Sequence, residues 1–474
     1  MTTSISATGS ISSAGIGSGL DVNSIIAGLM KVEQAPLTQL QTQATAIQTT
    51  VSAFGAVQSA MSTFRDAAAS LALPSTWNAT AATSTDPSAV SVTTSTNASA
   101  GNYAVQVQSL AASQSTVSGT FASADALVGA GTLHFDLGSW DAGATAFTAK
   151  AGSSGVDITA SATDTLSTLA AKVNAAGAGV TATIVNDASG SRLVFSSSTT
   201  GVDNGFRATG LASLAYDPAG GGTGSTLTQA AANASATING LSVTSATNNL
   251  TNVFAGLTIT LGKVTTGPVQ VAVAQDVATI KKSVQTFVDA YNALSSLLST
   301  DLKYDSATKT AGPLQADSAA VTLQRQLRNM VGAPSTASSA FSSISQAGLQ
   351  FQADGTLKID DTKLSAALAN PIEVKKLFTN VDTANPANNG IAISLRSFGN
   401  AALGSDGLLT ARISGLNKKL ANNQKDQDTL NDRLAATQAR LQKQYSALDN
   451  QMAGISTLST YVTQQIANWN KNTA

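Results

Sequence analysis

Two segments at opposite ends of this 474-residue chain carry apolar residues at a spacing of three or four. The first runs from Leu37 to Leu71, and the second runs from Leu430 to Trp469. This spacing places one narrow apolar seam on a long α-helix, and such a seam needs another helix to cover it. We therefore predict that the two terminal helices pack together or against neighbouring copies, as in a subunit of an assembly.

The seam of these helices is predicted to include side chains from the terminal segments and from a third helical stretch that begins at Val277. The final helix is expected to begin near Leu408 and to run for about sixty residues, roughly 90 Å. Its weak part lies between Asn423 and Asp428, where polar residues occupy seam positions. The predicted seam residues are Phe54, Met61, Phe64, Phe287, Tyr291, Leu434, Leu441 and Leu448.

The middle of the chain is rich in Ser, Thr, Ala and Gly and shows the alternating pattern of half-buried strands. The strand from Tyr103 to Val107 is expected to pair with strands near Ile238 and Leu257. Asn239-Gly240 predicts a tight turn, and Asp354-Gly355 predicts a hairpin with a primed turn. The fold class is therefore α+β and multidomain, with terminal coiled-coil-like helices, a helical leg domain and inserted antiparallel β head domains.

The changes of pattern along the chain predict seven segments. They are an N-terminal export and assembly segment (1–36), the first part of the helical leg domain (37–75), the first part of an inner β head domain (76–111), an outer β head domain (112–231), the second part of the inner head (232–276), the second part of the leg (277–445) and a C-terminal assembly helix (446–474).

The composition argues against several classes of function. Only 11% of the residues are charged, the formal net charge is −1, and no Lys or Arg occurs between Arg65 and Lys150. Nucleic-acid binding needs several cations on one face, so we expect no nucleic-acid partner. The absence of cysteine excludes disulfides and thiolate metal sites.

The N-terminal sequence lacks the basic region of a secretory signal, and no segment reaches the length of a membrane span. We expect a protein without a membrane span that either stays in the cytosol or is exported without a cleaved signal peptide.

Three features of the sequence could form a chemical site. His134 is the only histidine, and zinc sites or hydrolytic triads need more ligands or partners than its surroundings offer. The glycines between Gly15 and Gly19 lack the dinucleotide-binding fingerprint. Asp360-Asp361 is better explained as the N-cap of a helix. We expect no catalytic residue, no cofactor, no metal and no enzymatic activity.

The extreme ends carry too few apolar residues to order about twenty backbone residues each on their own. We therefore predict that they contact another subunit of an assembly. The predicted contact residues are Leu20, Ile25, Ile26, Leu29, Leu458, Tyr461, Val462, Ile466 and Trp469.

Several motifs, in the same order along the chain, resemble those of the bacterial flagellar filament cap family, the hook-associated protein 2 family. Ile16-Gly-Ser-Gly-Leu-Asp21 with Ile25-Ile-Ala-Gly-Leu-Met30 resembles the start of that family, and Tyr103 to Ala111 resembles its first head strand. The most specific match is Gly348-Leu-Gln-Phe-Gln-Ala-Asp-Gly-Thr-Leu-Lys-Ile-Asp360, followed by Leu364-Ser-Ala-Ala-Leu368. The outer head from Ala112 to Ala231 matches least.

This resemblance implies a homo-oligomeric ring at the distal tip of the flagellum, outside the cell, that helps exported flagellin to fold and insert. It also implies contact with hook-associated junction proteins and with an export chaperone, and export through the flagellar type III system without a cleaved signal. The family carries no catalytic site.

Two alternatives remain open at this point. The chain could be a hook–filament junction protein or a flagellin-like filament subunit, although flagellins lack the signature from Phe351 to Leu368. It could also be an adhesin whose β head binds host glycans, either as its main role or beside capping.

Overall fold

A computed structural model describes residues 21–95 and 97–472 of the chain. These residues form two compact units. The helical unit comprises the described residues up to Pro74 together with those from Lys282 onward, and the β unit comprises Ser75–Lys281.

The helices of the described chain are α1 (Val22–Glu33), α2 (Ala35–Ala72), α3 (Pro74–Trp77), α4 (Leu166–Ala175), α5 (Val277–Leu302), α6 (Ser318–Gly332), α7 (Asp361–Leu368), α8 (Pro371–Thr379), α9 (Ile391–Leu403) and α10 (Leu408–Asn472).

The strands are β1 (Thr80–Ser84), β2 (Val90–Thr94), β3 (Gly101–Ser109), β4 (Ser115–Ser118), β5 (Gly131–Trp140), β6 (Phe147–Ala149), β7 (Val156–Ala160), β8 (Val180–Asp187), β9 (Gly190–Ser197), β10 (Gly205–Thr209), β11 (Tyr216–Asp217), β12 (Gly222–Thr223), β13 (Ser225–Gln229), β14 (Ala234–Ile238), β15 (Leu241–Ser245), β16 (Asn249–Phe254), β17 (Leu257–Leu261), β18 (Val269–Gln275), β19 (Tyr304–Asp305), β20 (Thr310–Ala311), β21 (Leu349–Phe351) and β22 (Leu357–Ile359).

The core of the helical unit lies where α2 meets α5, α9 and α10. Phe54, Met61 and Phe64 of α2 are fully buried. The ring of Phe64 lies 5.6 Å from that of Phe287 and 6.0 Å from that of Tyr291, both on α5. The helix α10 begins at Leu408, as predicted, and extends for 65 residues. The α+β multidomain fold class is confirmed.

The hairpin of β21 and β22 is held on α5 by side-chain hydrogen bonds. Asn292 donates to the carbonyl of Leu357 at 2.9 Å and accepts from its amide at 2.7 Å. Tyr291 and Ser295 both donate to the carbonyl of Gly355, at 3.0 and 2.9 Å. The hairpin whose sequence gave the strongest resemblance is therefore fixed to the core.

The predicted primed turn at Asp354-Gly355 is wrong. The Gly355 amide donates to the carbonyl of Gln352 and the Gln352 amide donates to the carbonyl of Thr356, so the loop has three residues. Of these three, Gly355 alone has a positive φ, +86°. The Asp354 carboxylate accepts from the amide and hydroxyl of Thr356 at 2.9 and 2.7 Å and so supports a right-handed turn that ends in a left-handed glycine.

The inner part of the β unit contains two antiparallel sheets. One has the strand order β1-β18-β3-β14-β15, and the other has the order β16-β17-β2. Val105, Ile238, Ile259 and Val271 belong to their shared core. Asn239 and Gly240 have φ values of +48° and +83° and join β14 to β15 in the predicted tight turn.

Pairing of β3 with the strand at Ile238 is confirmed, but its pairing with the strand at Leu257 is wrong. Leu257 begins β17, which pairs with β2 and β16 in the other sheet. The second neighbour of β3 is β18. Alternation predicts which face of a strand is buried and carries no information about which strand lies beside it.

The outer part of the β unit has its own core. A sheet of order β12-β11-β10-β5-β6, with β7 also paired to β5, accompanies a sheet of order β13-β4-β9-β8 and the helix α4. Leu133, Phe135, Leu169, Phe195 and Phe206 are buried in this core. Thr165 caps the start of α4 by accepting a hydrogen bond from the amide of Thr168.

The chain enters and leaves this outer part at neighbouring residues. Ala112 and Ala232 form an isolated antiparallel bridge, in which each amide donates to the other carbonyl at 2.9 and 3.0 Å. The residues between them contain a core of their own, and Thr200 and Val202 also donate hydrogen bonds to Ala246 and Asn233 of the inner part.

Replacing residues 113–231 by a short glycine-containing turn should leave the rest of the protein folded. The two cores are separate, and shortening a loop costs little entropy. Circular dichroism and size-exclusion chromatography of this variant and of the full chain provide the test. Loss of cooperative unfolding or of association in the shortened protein would show that the outer part belongs to the core.

Candidate assembly surface on the terminal helices

The helix α1 packs against the middle of α10. Val22, Ile26 and Met30 of α1 are buried together with Leu434 of α10. Leu37, Leu430, Leu441 and Tyr445 are half-buried around this cluster. The first helix therefore covers one stretch of the seam of α10 within the same chain.

Asp21 fixes the start of α1. Its carboxylate accepts from the backbone amide of Ser24 at 3.0 Å and from the Ser24 hydroxyl at 2.6 Å. These hydrogen bonds lower the pKa of Asp21, and the negative charge also suits the positive end of a helix.

A polar contact lies in the predicted weak part of α10. Asn423 and Gln427 are buried, although both carry amide side chains. The Gln427 amide donates to Asn423 Oδ1 at 2.6 Å, and Asn423 Nδ2 donates to the carbonyl of Leu40 in α2 at 3.1 Å. A buried amide that loses its hydrogen-bond partner lowers the stability of the fold. This contact therefore favours one alignment of α10 along α2.

The last part of α10 lies beyond this cover. Its large apolar side chains are Leu448, Met452, Ile455, Leu458, Tyr461, Val462, Ile466 and Trp469, with exposed fractions between 40% and 73%. Six of them continue the line of the buried seam, and Leu458 and Tyr461 lie beside it. We call these eight residues the terminal stripe.

The seam and the terminal stripe belong to one strict repeat. Leu434, Leu441, Leu448, Ile455, Val462 and Trp469 follow each other at intervals of seven residues. Leu434 is 7% exposed and Leu441 is half-buried, whereas the last four are exposed. A sustained seven-residue repeat is typical of coiled-coil packing. Within the part of the chain that the structure describes, only the first two of the six positions are covered.

The predicted contact residues separate into groups. Leu458, Tyr461, Val462, Ile466 and Trp469 lie in the terminal stripe, and Ile25 and Leu29 are exposed on the outer side of α1 at 37% and 43%. Ile26 is instead buried against α10. Leu20 lies outside the described residues. The outer side of α1 also carries Val32, 75% exposed, which the sequence reasoning did not include.

The predicted seam residues are placed as follows. Phe54, Met61, Phe64, Phe287, Tyr291 and Leu434 are buried, and Leu441 is half-buried. Leu448 is 44% exposed and belongs to the terminal stripe of the single chain. The sequence placed Asn423 and Gln427 at seam positions but predicted a weak stretch there. Their helical spacing, in line with the apolar seam, was the signal that they make a buried contact.

His134 lies in a charged network on the outer sheet. Its Nδ1 is 2.6 Å from Asp157 Oδ1, and its Nε2 is 3.1 Å from Asp136 Oδ1. Asp136 also accepts two hydrogen bonds from Arg207, at 2.7 and 3.2 Å. The hydrogen bond to Asp157 raises the pKa of His134 against the opposing effect of burial, and the contact with Asp136 raises it further.

Asp360 caps α7, as expected, by accepting from the amide of Lys363 at 3.0 Å. Within residues 21–95 and 97–472, no group of three or more His, Cys, Asp or Glu side chains is arranged to hold a metal ion. No helix in that part of the chain combines the length and hydropathy that a membrane crossing requires.

Comparison with known proteins gives matches along most of the chain. Residues 18–114 match the sequence profile of the flagellar hook-associated protein 2 N-terminus, and residues 231–457 match that of its C-terminus. Residues 146–199 match the flagellin hook IN motif.

Curated relatives and a solved structure agree with these matches. Flagellar hook-associated protein 2 of Escherichia coli strain K12 is 32% identical, over 97% of this chain and 98% of that protein. The B-type flagellar hook-associated protein 2 of Pseudomonas aeruginosa PAO1 is 30% identical, over 96% and 97%. The crystal structure of the D1-D2-D3 domains of the flagellar cap protein FliD from Escherichia coli superposes with a TM-score of 0.61 at 28% identity, covering 77% of this chain and 99% of that one.

Leu434 and Leu448 are the same residue type at equivalent positions of the repeat, but Leu434 is buried and Leu448 is exposed. Leu434→Ala should lower the free energy of unfolding by about 2–5 kcal/mol, because it opens a cavity between α1 and α10. Leu448→Ala should change the stability of the monomer by less than about 1 kcal/mol and should weaken self-association instead. Chemical denaturation at low protein concentration and sedimentation velocity at high concentration measure the two effects. Equal destabilisation of the monomer by both variants would contradict this division of α10.

The single histidine should make the β unit more stable at mildly acidic pH. A group whose pKa is raised by folding contributes stability that is complete below its unfolded pKa, about 6.5, and that is lost as the pH rises through the raised value. The thermal midpoint should therefore fall as the pH rises from about 6.5 through the raised pKa. Calorimetry of the natural chain and of His134→Gln provides the test. If the thermal midpoint of the variant falls equally with rising pH, His134 is not the cause.

Proposed function

This chain belongs to the flagellar hook-associated protein 2 family of flagellar cap proteins, and we propose that it closes the distal end of a bacterial flagellar filament as a ring of several copies. In this position it lies outside the cell, receives exported flagellin, promotes its folding and insertion, and prevents its loss. The observation that supports assembly most directly is the terminal stripe, which continues a seven-residue repeat past the last helix that covers it.

Other copies of α10 are the occupants that fit the terminal stripe best. Rotational symmetry keeps the helices of a ring parallel, so identical residues meet at the same level. No Asp, Glu, Lys or Arg occurs from Asn450 to Asn470. Identical helices can therefore meet there without repulsion between like charges.

The side chains of the stripe favour more than two helices. With Met452, Ser459 and Ile466 at a positions, the d positions are Leu448, Ile455, Val462 and Trp469. Parallel two-stranded coiled coils prefer Leu at d, whereas β-branched residues at d favour trimers and larger bundles. Ile455 and Val462 thus support a bundle of at least three copies, as a ring requires.

The remaining partners follow from family membership. We propose that the ring contacts flagellin, that it is delivered by the flagellar type III system with an export chaperone and without a cleaved signal, and that it starts its work on the hook-associated junction proteins. Roles as a junction protein, as a filament subunit or as a glycan-binding adhesin are not favoured, because the relatives are hook-associated protein 2 sequences over nearly their full length.

Deleting the gene should leave hooks and export intact while filaments fail to grow and flagellin monomer appears in the medium. Electron microscopy of the cells and immunoblots of the medium measure these results. Normal filaments on a clean deletion would overturn the proposed function.

The same strain can test the terminal stripe. Complementation with Ile455→Asp combined with Val462→Asp should not restore filaments, because two carboxylates per copy would face each other in the bundle. The control is Ile372→Asp, at an apolar position on α8 that is 67% exposed, and it should restore filaments. Secretion of each variant is checked first, so that failed export is not mistaken for failed assembly.

A further inference from the structure

A pocket of about 370 Å³ opens in the outer part of the β unit. Its wall contains two aromatic residues, Trp140 at the end of β5 and Tyr216 on β11. Most of the other lining side chains are small or apolar: Ala142, Ala144, Val202, Leu227, Ala230 and Ala231. Pockets of this size and character are typical of small-molecule sites.

The aromatic wall is held rigidly before any ligand arrives. The Trp140 indole N–H donates to the carbonyl of Phe206 at 3.0 Å. The Trp140 ring also meets Tyr216 edge-on at 5.6 Å between centroids and packs on Phe147 at 4.9 Å. A wall fixed by a hydrogen bond and two ring contacts loses little entropy when a flat group packs against it.

Most polar side chains at this pocket are already engaged within the protein. Gln114 is 1% exposed, and its amide donates to the carbonyl of Phe206 at 2.8 Å and accepts from the Phe206 amide at 3.0 Å. Asp141 accepts from the backbone amides of Thr145 and Ala146, at 2.5 and 3.0 Å. These side chains hold the pocket wall in place, and few of their hydrogen-bonding atoms remain available to a ligand.

The hydroxyl of Tyr216 differs from them. The residue is 4% exposed and lines the pocket. Among the described residues its hydroxyl has no hydrogen-bond partner, and burial alone raises the pKa of Tyr216. The hydroxyl oxygen is not fully buried, so a polar atom of a ligand can reach it and pair with it.

We propose that this pocket binds a neutral aromatic group that carries one hydroxyl or carbonyl. The ring packs against Trp140 and the small apolar side chains, and its polar atom pairs with the hydroxyl of Tyr216.

The same features exclude two other ligand classes. The hydrogen bonds from Thr145 lower the pKa of Asp141, so this carboxylate at the pocket stays ionised and repels anions. A sugar would bring several hydroxyls into a wall that offers one free side-chain partner, and each unpaired hydroxyl costs binding free energy. The pocket therefore suits phenol and does not suit benzoate or a glycoside.

Binding of four probes to the full-length protein tests the proposal: phenol, toluene, benzoate and methyl glucoside. Isothermal titration calorimetry and ligand-observed saturation-transfer NMR should detect phenol in the millimolar range. Toluene should bind more weakly, and neither benzoate nor the glucoside should compete with phenol. Absence of phenol binding at about 10 mM, or tighter binding of benzoate or the glucoside, would overturn the assignment.

Two variants locate the site. Tyr216→Phe should weaken phenol binding about fivefold and leave toluene binding unchanged, because it removes the hydroxyl alone. Ala231→Leu should abolish binding of both probes by filling the pocket. The matched control is Ala175→Leu at the exposed end of α4, which should bind like the natural chain. Circular dichroism confirms folding, and phenol binding that neither pocket variant alters would place the ligand elsewhere and refute the proposal.

Discussion

The pairing of α10 with α2 and α1 is the interaction on which the rest of the architecture depends. It joins the two ends of the chain, because Leu40 near the start of α2 meets Asn423 on the last helix. Once the ends are joined, everything between α2 and α5 must leave the helical unit and return to it. The strands from β1 to β18 therefore form a closed unit with their own cores. Because the apolar seam is uniform along much of its length, the Asn423–Gln427 contact supplies the positional information that Leu and Ile side chains cannot.

Incomplete cover of α10 links this packing to assembly. A chain that covered all six repeat positions internally would have no reason to associate through them, and a chain that covered none would expose a long apolar face before assembly. The protein covers Leu434 fully and Leu441 partly and leaves the four later positions exposed. In the monomer the first part of α10 is thus packed within the fold, and the last part of the same helix remains exposed for contact with other copies. The proposed bundle fits the nearly charge-free sequence beyond Asn450, since dense packing of identical helices tolerates few charges.

The sequence predicts elements well where local chemistry decides, and poorly where distant partners decide. The heptads, the Asp360 cap and the Asn239-Gly240 turn depend on neighbours in the chain, and all appear in the structure. The turn at Asp354-Gly355 was misread because the Asp354 side chain bonds to Thr356 and favours a different loop. The carboxylates beside His134 come from β5 and β7, and the pocket wall combines β5 with β11, so neither arrangement is visible in any single stretch of sequence. Exposure of Leu448 depends on where α1 begins, which the repeat itself does not encode.

The bridge between Ala112 and Ala232 has a consequence for how the protein folds. The strand β3 must find β14 across an insertion of more than a hundred residues, and such distant pairing is slow when the intervening chain is unstructured. If the outer part folds first around its own core, its two ends come together, and the effective separation between β3 and β14 shrinks to a few residues. The insertion then acts as an intramolecular clamp that accelerates closure of the inner sheet.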